Sequence, residues 1–246
     1  MKRILYHGSD RIIAAPVFGA GKAGNDFGLG FYCTENRQTA SEWAVTQISK
    51  SANGFVNRYS IETDGLRIIN LNNPEYCILH WLAVLLNHRE FDAVTSAVYQ
   101  AKDYIRSVFR VEYQSCDCLI GFRADNSNFI FAQDFIDGKI SYSEFNNSVR
   151  LGDTGRQFVI KSNRAFDRMV FEGYETAKHA AIYPAAATRD RIALEKAMKQ
   201  RPGRQNNKDA SFGSEKSLIK KTHSAEPVYI KDIISQNIMP YDSRLQ

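Results

Sequence analysis

At 246 residues, 43% hydrophobic and 12% aromatic, the chain can bury a sizeable core, and that aromatic content excludes a largely disordered protein. The net charge of +5 is uneven: residues 199–224 hold seven Lys or Arg against Asp209 and Glu215, so the remainder is near neutral. This excludes a body built around a nucleic-acid groove and leaves one basic stretch, read either as a solvated linker or as a contact for nucleic acid or another acidic partner.

RILYHGS (3–9) reads as a short strand ending in a polar turn. APVFGAGKAGNDFGLG (15–30) is loop, with five glycines and a proline in sixteen residues. FYCT (31–34) is extended again. Residues 35–50 predict a helix, with Thr34 as N-cap and Ala40, Trp43, Ala44 and Gln47 on one face. FVNRYSIE (55–62) alternates in the strand manner, and LRIINL (66–71) is a further strand. Residues 74–109 read as two helices broken near His88 and Arg89. CDCLIGF (116–122) is a buried strand, and NFIFAQDFIDG (128–138) leads toward a helix starting near Ser141. RQFVIKS (156–162) is the next strand. Asn163 caps a predicted helix in RAFDRMVFEGYETAKHA (164–180), with Ala165, Met169 and Val170 as its inner side. TRDRIALEKAMK (188–199) is a charged helix, 200–225 is polar, and VYIKDIISQNI (228–238) is a last strand or helix. Strands and helices mix without repeats and without a regular βαβ rhythm, so the expected class is α+β rather than a doubly wound sheet.

MKRILYHGSD carries only a three-residue apolar stretch, so no signal peptide is expected. CILHWLAVLL (77–86) is half the length a bilayer span needs and contains His80. Cys33, Cys77, Cys116 and Cys118 are expected as reduced thiols, and the C-x-C pair lacks the second pair that a zinc site requires, so no metal is expected. A cytoplasmic protein without a membrane partner follows, or one delivered to a target cell's cytoplasm. The spacing of Gly24, Gly28 and Gly30 matches neither a dinucleotide-binding G-x-G-x-x-G nor a Walker A loop.

Three pieces taken in order say more. YHGS (6–9) ends the first strand, DFGLGFYCTENRQTASEWA (26–44) follows, and RQFVIKS lies far downstream. Together they resemble the ADP-ribosyltransferase superfamily, in its His-Tyr-Glu branch, which includes diphtheria toxin and the poly-ADP-ribose polymerases. In that branch an HG dipeptide ends a strand, an FGxGxYF segment leads to a helix with a second aromatic, and a carboxylate heads a late strand. The chain is similar, more closely, to small bacterial proteins of this superfamily that begin YHGS and carry DFGxGFYxT and DxxIGxxADD, the last read here as CDCLIGFRADNSNF (116–129). The resemblance covers most of residues 4–175.

Composition reads 199–225 as a basic polar loop or linker and 226–246 as a C-terminal segment packing back on the domain, and the resemblance implies a split β-sheet core with flanking helices over residues 1–198. It also implies NAD as co-substrate. His7 would hydrogen-bond a ribose hydroxyl, the Gly8 backbone would hold the nicotinamide carboxamide beside Ser9, and Tyr32, next to Phe31, would lie against the nicotinamide ring. Trp43 takes the place of the second aromatic, stacked on the ring's other face, and Gln157 falls on the third signature position. These residue types suit the task. Nicotinamide in NAD is a flat cation, which an aromatic face attracts and buries. A Gly-rich entry brings backbone N–H groups close. Loss of nicotinamide through an oxocarbenium-like transition state needs positioning and placed charge rather than covalent help.

The departure is Gln157, which can neither take a proton nor carry charge. It can accept a ribose hydroxyl, and its neutrality favours mono-transfer over chain elongation. Glu172 and Glu175 either supply the missing carboxylate or sit on a solvated helix face. Arg123 either meets a pyrophosphate or pairs with Asp117, and Asp125 and Asn126 either serve the acceptor side or form an Asx-rich turn. The expected function is mono-ADP-ribosyl transfer from NAD to a protein or nucleic acid by a bacterial or phage toxin or effector, with an antitoxin or immunity protein as partner. The alternatives are a non-catalytic NAD or ADP-ribose binder and an NAD glycohydrolase.

Overall fold

β1 (Lys2–Ser9) pairs antiparallel with β3 (Gly54–Glu62), and β3 pairs antiparallel with β7 (Met169–Ala177), giving a three-stranded sheet in the order β1-β3-β7. A second sheet runs β2-β6-β5-β4, from β2 (Phe31–Cys33), β6 (Arg156–Ile160), β5 (Cys118–Phe122) and β4 (Ile68–Asn70), with only the β4–β5 pair parallel. The computed structural model describes residues 1–46, 52–92, 95–151, 155–199 and 226–245. The class is α+β, as expected.

The two sheets share an apolar cluster that includes Leu5, Ile61, Cys33, Ile120 and Phe158, and one backbone bridge joins them. Tyr6 and Thr34 exchange both backbone hydrogen bonds, at 2.8 and 2.9 Å, so the end of β2 touches the middle of β1. Beyond that bridge the strands part, and the chain between them, residues 10–30, crosses the gap as loop. β5 is buried along its whole length, and the nine residues of α2 (Ile78–Leu86) are buried all round, as their uninterrupted apolar sequence requires. α2, α3 (Ser96–Val108), α4 (Asn126–Ile136) and α5 (Tyr142–Leu151) share one core with β5 and β6, in which Phe109, Phe135 and Phe145 are fully buried. α8 (Ile230–Ser235) adds Ile230 and Ile233 to this core, and Ile238 and Leu245 follow them in. Tyr142 donates its hydroxyl to the Leu245 carbonyl at 2.6 Å, which fastens the C-terminal segment to α5.

α1 (Arg37–Thr46) lies on the other sheet, with Ala40 and Ala44 packed against Val56 and Ala177. It starts later than the expected residue 35. Asn36 accepts the Thr39 N–H at 3.1 Å and caps it, while Thr34 spends its hydroxyl on the Asn36 N–H. The larger correction is at 163–180. Only α6 (Asn163–Phe166) is helical there, capped by Ser162 rather than Asn163, and Met169–Ala177 is strand β7. In the strand Met169 and Val170 point to opposite faces and Val170 is exposed, so the inner side expected of them does not hold, and pairing of eight β7 residues with β3 decides the element. The NFIFAQDFIDG stretch lies largely in α4 itself, and α7 (His179–Lys199) extends the expected charged helix toward its N-terminus. Gln47 and the basic stretch 200–224 lie outside the described residues.

Among the described residues no helix is long and apolar enough to cross a membrane, and no cluster of side chains could hold a metal ion. The four cysteines are buried and free.

Candidate functional site

Where β1 and β2 part, a cleft of about 650 Å³ opens between the loop 10–30 and the ends of both sheets. His7 (β1), Phe31 and Tyr32 (β2), Trp43 (α1), Arg123 (just after β5) and Gln157 (β6) all line it. Segments far apart in the chain thus converge on one cleft.

The His7 ring stacks on Phe31 with centroids 4.4 Å apart, and its Nδ1 lies 2.7 Å from the Tyr32 carbonyl oxygen. A carbonyl only accepts, so Nδ1 carries the hydrogen and Nε2 keeps a lone pair. Burial holds the imidazole below the ordinary histidine pKa, against the smaller pulls of the Tyr32 carbonyl and Asp10, so the ring is neutral at pH 7. Gly8 is not among the residues lining the cleft, though its backbone N–H and C=O point away from β3. Tyr6 turns its N–H and C=O away from β3 toward Thr34, and by the alternation of an antiparallel strand Gly8 presents its own on the same side.

Tyr32 is tied into the glycine loop. Its hydroxyl donates to the Gly28 carbonyl at 2.7 Å and accepts the Phe27 N–H at 2.9 Å, and burial pushes its pKa far up. Lys161, just after β6, anchors the same turn, donating to the carbonyls of Phe27 at 2.6 Å and Leu29 at 2.9 Å. Gly28 has φ +75°, and a Cβ there would lie 2.5 Å from the His88 ring, so both the conformation and the close approach demand glycine. Phe27 itself is fully buried over Gly121 of β5. Asn57, fully buried on β3, orders the start of the loop by accepting the Ile13 N–H at 2.8 Å and donating to Ser9 Oγ and the Arg11 carbonyl, each at 3.1 Å.

Trp43 is 5% exposed, and Arg123 lies over its indole with the guanidinium carbon 5.4 Å from the ring centroid. One face of Trp43 is therefore met by a cation. The indole Nε1 is buried and has no hydrogen-bond partner among the described residues. Arg123 does not pair with Asp117. That carboxylate accepts the Arg67 N–H at 2.8 Å and the Ser162 hydroxyl at 2.5 Å, with Arg164 at 3.6 Å.

The residue missed from sequence is Asp26. It is 6% exposed, lines the cleft, and accepts three hydrogen bonds: Gln157 Nε2 at 2.6 Å, the Ala124 N–H at 2.9 Å and Arg89 Nη1 at 2.8 Å. Burial raises its pKa, and these donors together with Arg89 and Arg123 only partly offset that. Its signal was the first letter of the DFGLG motif, which the glycines overshadowed. Lys22 and Arg89 also line the cleft, so with Arg123 three cations face one carboxylate.

Other expected residues fall elsewhere. Ser9 is buried against Asn57 and Arg11 and does not line the cleft. Asp125 caps α4, accepting the Asn128 N–H and the Ser127 hydroxyl at 2.9 Å each, which is the turn reading. Asn126 opens that helix, and its side chain is outside the described residues. Glu172 pairs with Lys2 and Arg58, and Glu175 with Arg37, so neither carboxylate serves the cleft. On its other side Gln157 borders a second cavity of about 560 Å³, shared with Glu35, Arg37 and Arg156.

An α+β chain with a cationic, aromatic cleft at the parting of two sheets is the class these features define. The chain belongs to the family described as Protein of unknown function (DUF3990), which matches residues 3–171 and so takes in every residue lining the cleft. No curated protein and no solved structure matches the chain.

Proposed function

We propose that the protein is a mono-ADP-ribosyltransferase that uses NAD as co-substrate on a macromolecular acceptor. The observation that carries this reading is the convergence of His7, Tyr32, Trp43 and Gln157 in one cleft. His7 Nε2 accepts a hydroxyl of the adenine-side ribose. The outward backbone groups of Gly8 take the nicotinamide carboxamide, and Tyr32 lies against the pyridinium ring. The three cations suit the pyrophosphate, and Trp43 Nε1 gains the acceptor it lacks. The two sheets, bridged at Tyr6 and Thr34, support this reading, since the superfamily the sequence resembles is expected to have a split β-sheet core.

In the reaction the bond from nicotinamide N1 to ribose C1′ breaks, and both electrons leave with neutral nicotinamide. A lone pair of the acceptor forms the new bond to C1′, and the acceptor's proton passes to solvent. Gln157 accepts the nicotinamide-ribose 2′-hydroxyl and orients the sugar. The second cavity beside Gln157 gives a large acceptor access to the same carbon, which favours transfer over hydrolysis.

Incubation with NAD labelled in its ADP-ribose portion, in a cell lysate, tests this reading. Label on protein or nucleic acid, lost in Gln157→Ala while the protein stays folded, is the expected result. Free ADP-ribose alone indicates a glycohydrolase, and retained intact NAD indicates a binder. A toxin or effector role predicts that expression arrests bacterial growth and that Gln157→Ala relieves the arrest.

A further inference from the structure

The third signature position carries no charge, yet a carboxylate touches it. Gln157 Nε2 donates to Asp26 Oδ2 at 2.6 Å, across 131 residues of sequence. A carboxylate oxygen only accepts, so the amide nitrogen of Gln157 faces Asp26 and its oxygen Oε1 faces away, with no hydrogen bond from the described residues. Asp26 is held in turn: Ala124 N–H shares Oδ2, and Arg89 takes Oδ1. Burying a carboxylate this deeply costs free energy that a well-packed apolar side chain would not, and such a cost is typical of functional sites.

We infer that Asp26 is the positioning residue of the site, fixing the Gln157 amide with its oxygen toward the ribose and supplying from the glycine loop the negative charge that position 157 lacks. This rests on the reading of the cleft as an NAD-consuming site. The charge is displaced by one side chain from its place at the head of the late strand. Gln157 relays it through a hydrogen bond, polarised toward Asp26 and so a stronger acceptor at Oε1. The developing oxocarbenium ion then meets a neutral acceptor backed by an anion. The charged or titratable groups facing Asp26 are Arg89 from the segment after α2, Arg123 from the end of β5 and Tyr32 of β2. Burial raises the pKa of Asp26 while the Ala124 N–H, Gln157 and then the two arginines pull it back, and burial keeps the Tyr32 phenol protonated.

The polarity of the pair makes it testable. Gln157→Glu puts two carboxylates at hydrogen-bond distance, and they cannot both ionise cheaply. With one shared proton, the introduced carboxyl still donates to Asp26 and still accepts from ribose, so this form mimics the native pair. When the second proton leaves, the donor is gone and the two groups repel.

Nicotinamide release from NAD is measured between about pH 5 and 9 for the wild type, Asp26→Asn and Gln157→Glu, with melting curves for each. The proposal expects Asp26→Asn to lose about 100-fold in kcat, with KM for NAD changed less than about threefold. It expects Gln157→Glu to turn over at acid pH and to lose activity as pH rises, an alkaline limb absent from the wild type. Should Asp26→Asn lower the melting temperature too far for assay, the pH limb of Gln157→Glu decides alone. Wild-type turnover that survives Asp26→Asn within about threefold, or a Gln157→Glu profile parallel to the wild type's, overturns the proposal and leaves the NAD reading intact. A wild type that releases no nicotinamide overturns both.

Discussion

Gly8→Ala is a test in which packing, not ligand chemistry, sets the size of the effect. A Cβ at Gly8 would lie 2.0 Å from the Ala40 carbonyl oxygen and 2.6 Å from the Ala44 nitrogen, both backbone atoms of α1. Ordinary contact begins at 3.4 Å, so the shortfall is 1.4 Å, and no flexible side chain can absorb it. Gly54 of β3 meets the same helix, with a Cβ 2.2 Å from the Ala44 oxygen, so α1 is seated on two glycines and cannot tilt away from one without strain at the other. Overpacking of this kind costs about 1–3 kcal/mol, and the rigid obstacle places Gly8→Ala near the upper end. For a chain of this size about 3 kcal/mol lowers the melting temperature by about 6–12 °C. The helix also carries Trp43, and a displacement near 1 Å at a positioned group costs about 100-fold in turnover. Thermal unfolding followed by circular dichroism and nicotinamide release measure the two effects. Gly24→Ala, which has nothing within 4 Å and an unstrained backbone, is the control and leaves both unchanged. Gly8→Ala that melts with the wild type would refute the packing argument.

Three further outcomes follow from the loop and the histidines. Tyr32→Phe keeps the ring but strips the Phe27 N–H and Gly28 carbonyl of their partner, so it costs about 1–2 kcal/mol in stability and raises KM for NAD, measured by denaturant melts and steady-state kinetics. Lys161→Met frees the carbonyls of Phe27 and Leu29, and amide exchange at residues 27–30 speeds up by about tenfold while the β5 amides keep their protection; equal protection in both proteins contradicts it. His7, His80 and His88 are each held below the ordinary value of 6.5, chiefly by burial, with Lys161 adding to the effect at His88. The unfolded chain takes up protons at these sites before the folded one, so their stabilising contribution is full above pH 6.5 and is lost as pH falls through the lowered values. An NMR titration that finds the His7 midpoint at or above 6.5 contradicts this.

Most of the cleft was legible because its residues sit in short local signals. HGS ends a strand, FGLGFY combines turn glycines with an extended aromatic pair, and RQFVI is an apolar strand with a polar head. Each is a local pattern that backbone geometry preserves. What was missed is non-local. Nothing within a few residues of Asp26 announces that it meets Gln157, Arg89 and the Ala124 N–H, because those partners come from three other segments brought together by sheet pairing. Asn57 was hidden for the same reason, as a polar residue in a strand that reads as solvent-facing until the loop 10–30 folds over it. The misread β7 has a different cause: the adjacent apolar pair Met169 and Val170 suggests a helical side, whereas pairing with β3, a long-range term, sets a strand that turns Val170 outward. Arg123 was foreseen as a polar contact but not as the cover of Trp43, since stacking between β5 and α1 depends on the packing of the two sheets.

The central claim is that NAD lies in this cleft with its nicotinamide end toward Tyr32 and Gln157. A crystal structure with an NAD analogue whose nicotinamide–ribose bond cannot break tests it most directly. The expected density has the carboxamide on the Gly8 backbone, the ring against Tyr32 and the 2′-hydroxyl on Gln157 Oε1. Analogue bound elsewhere, or a cleft that admits none at saturating concentration, contradicts it.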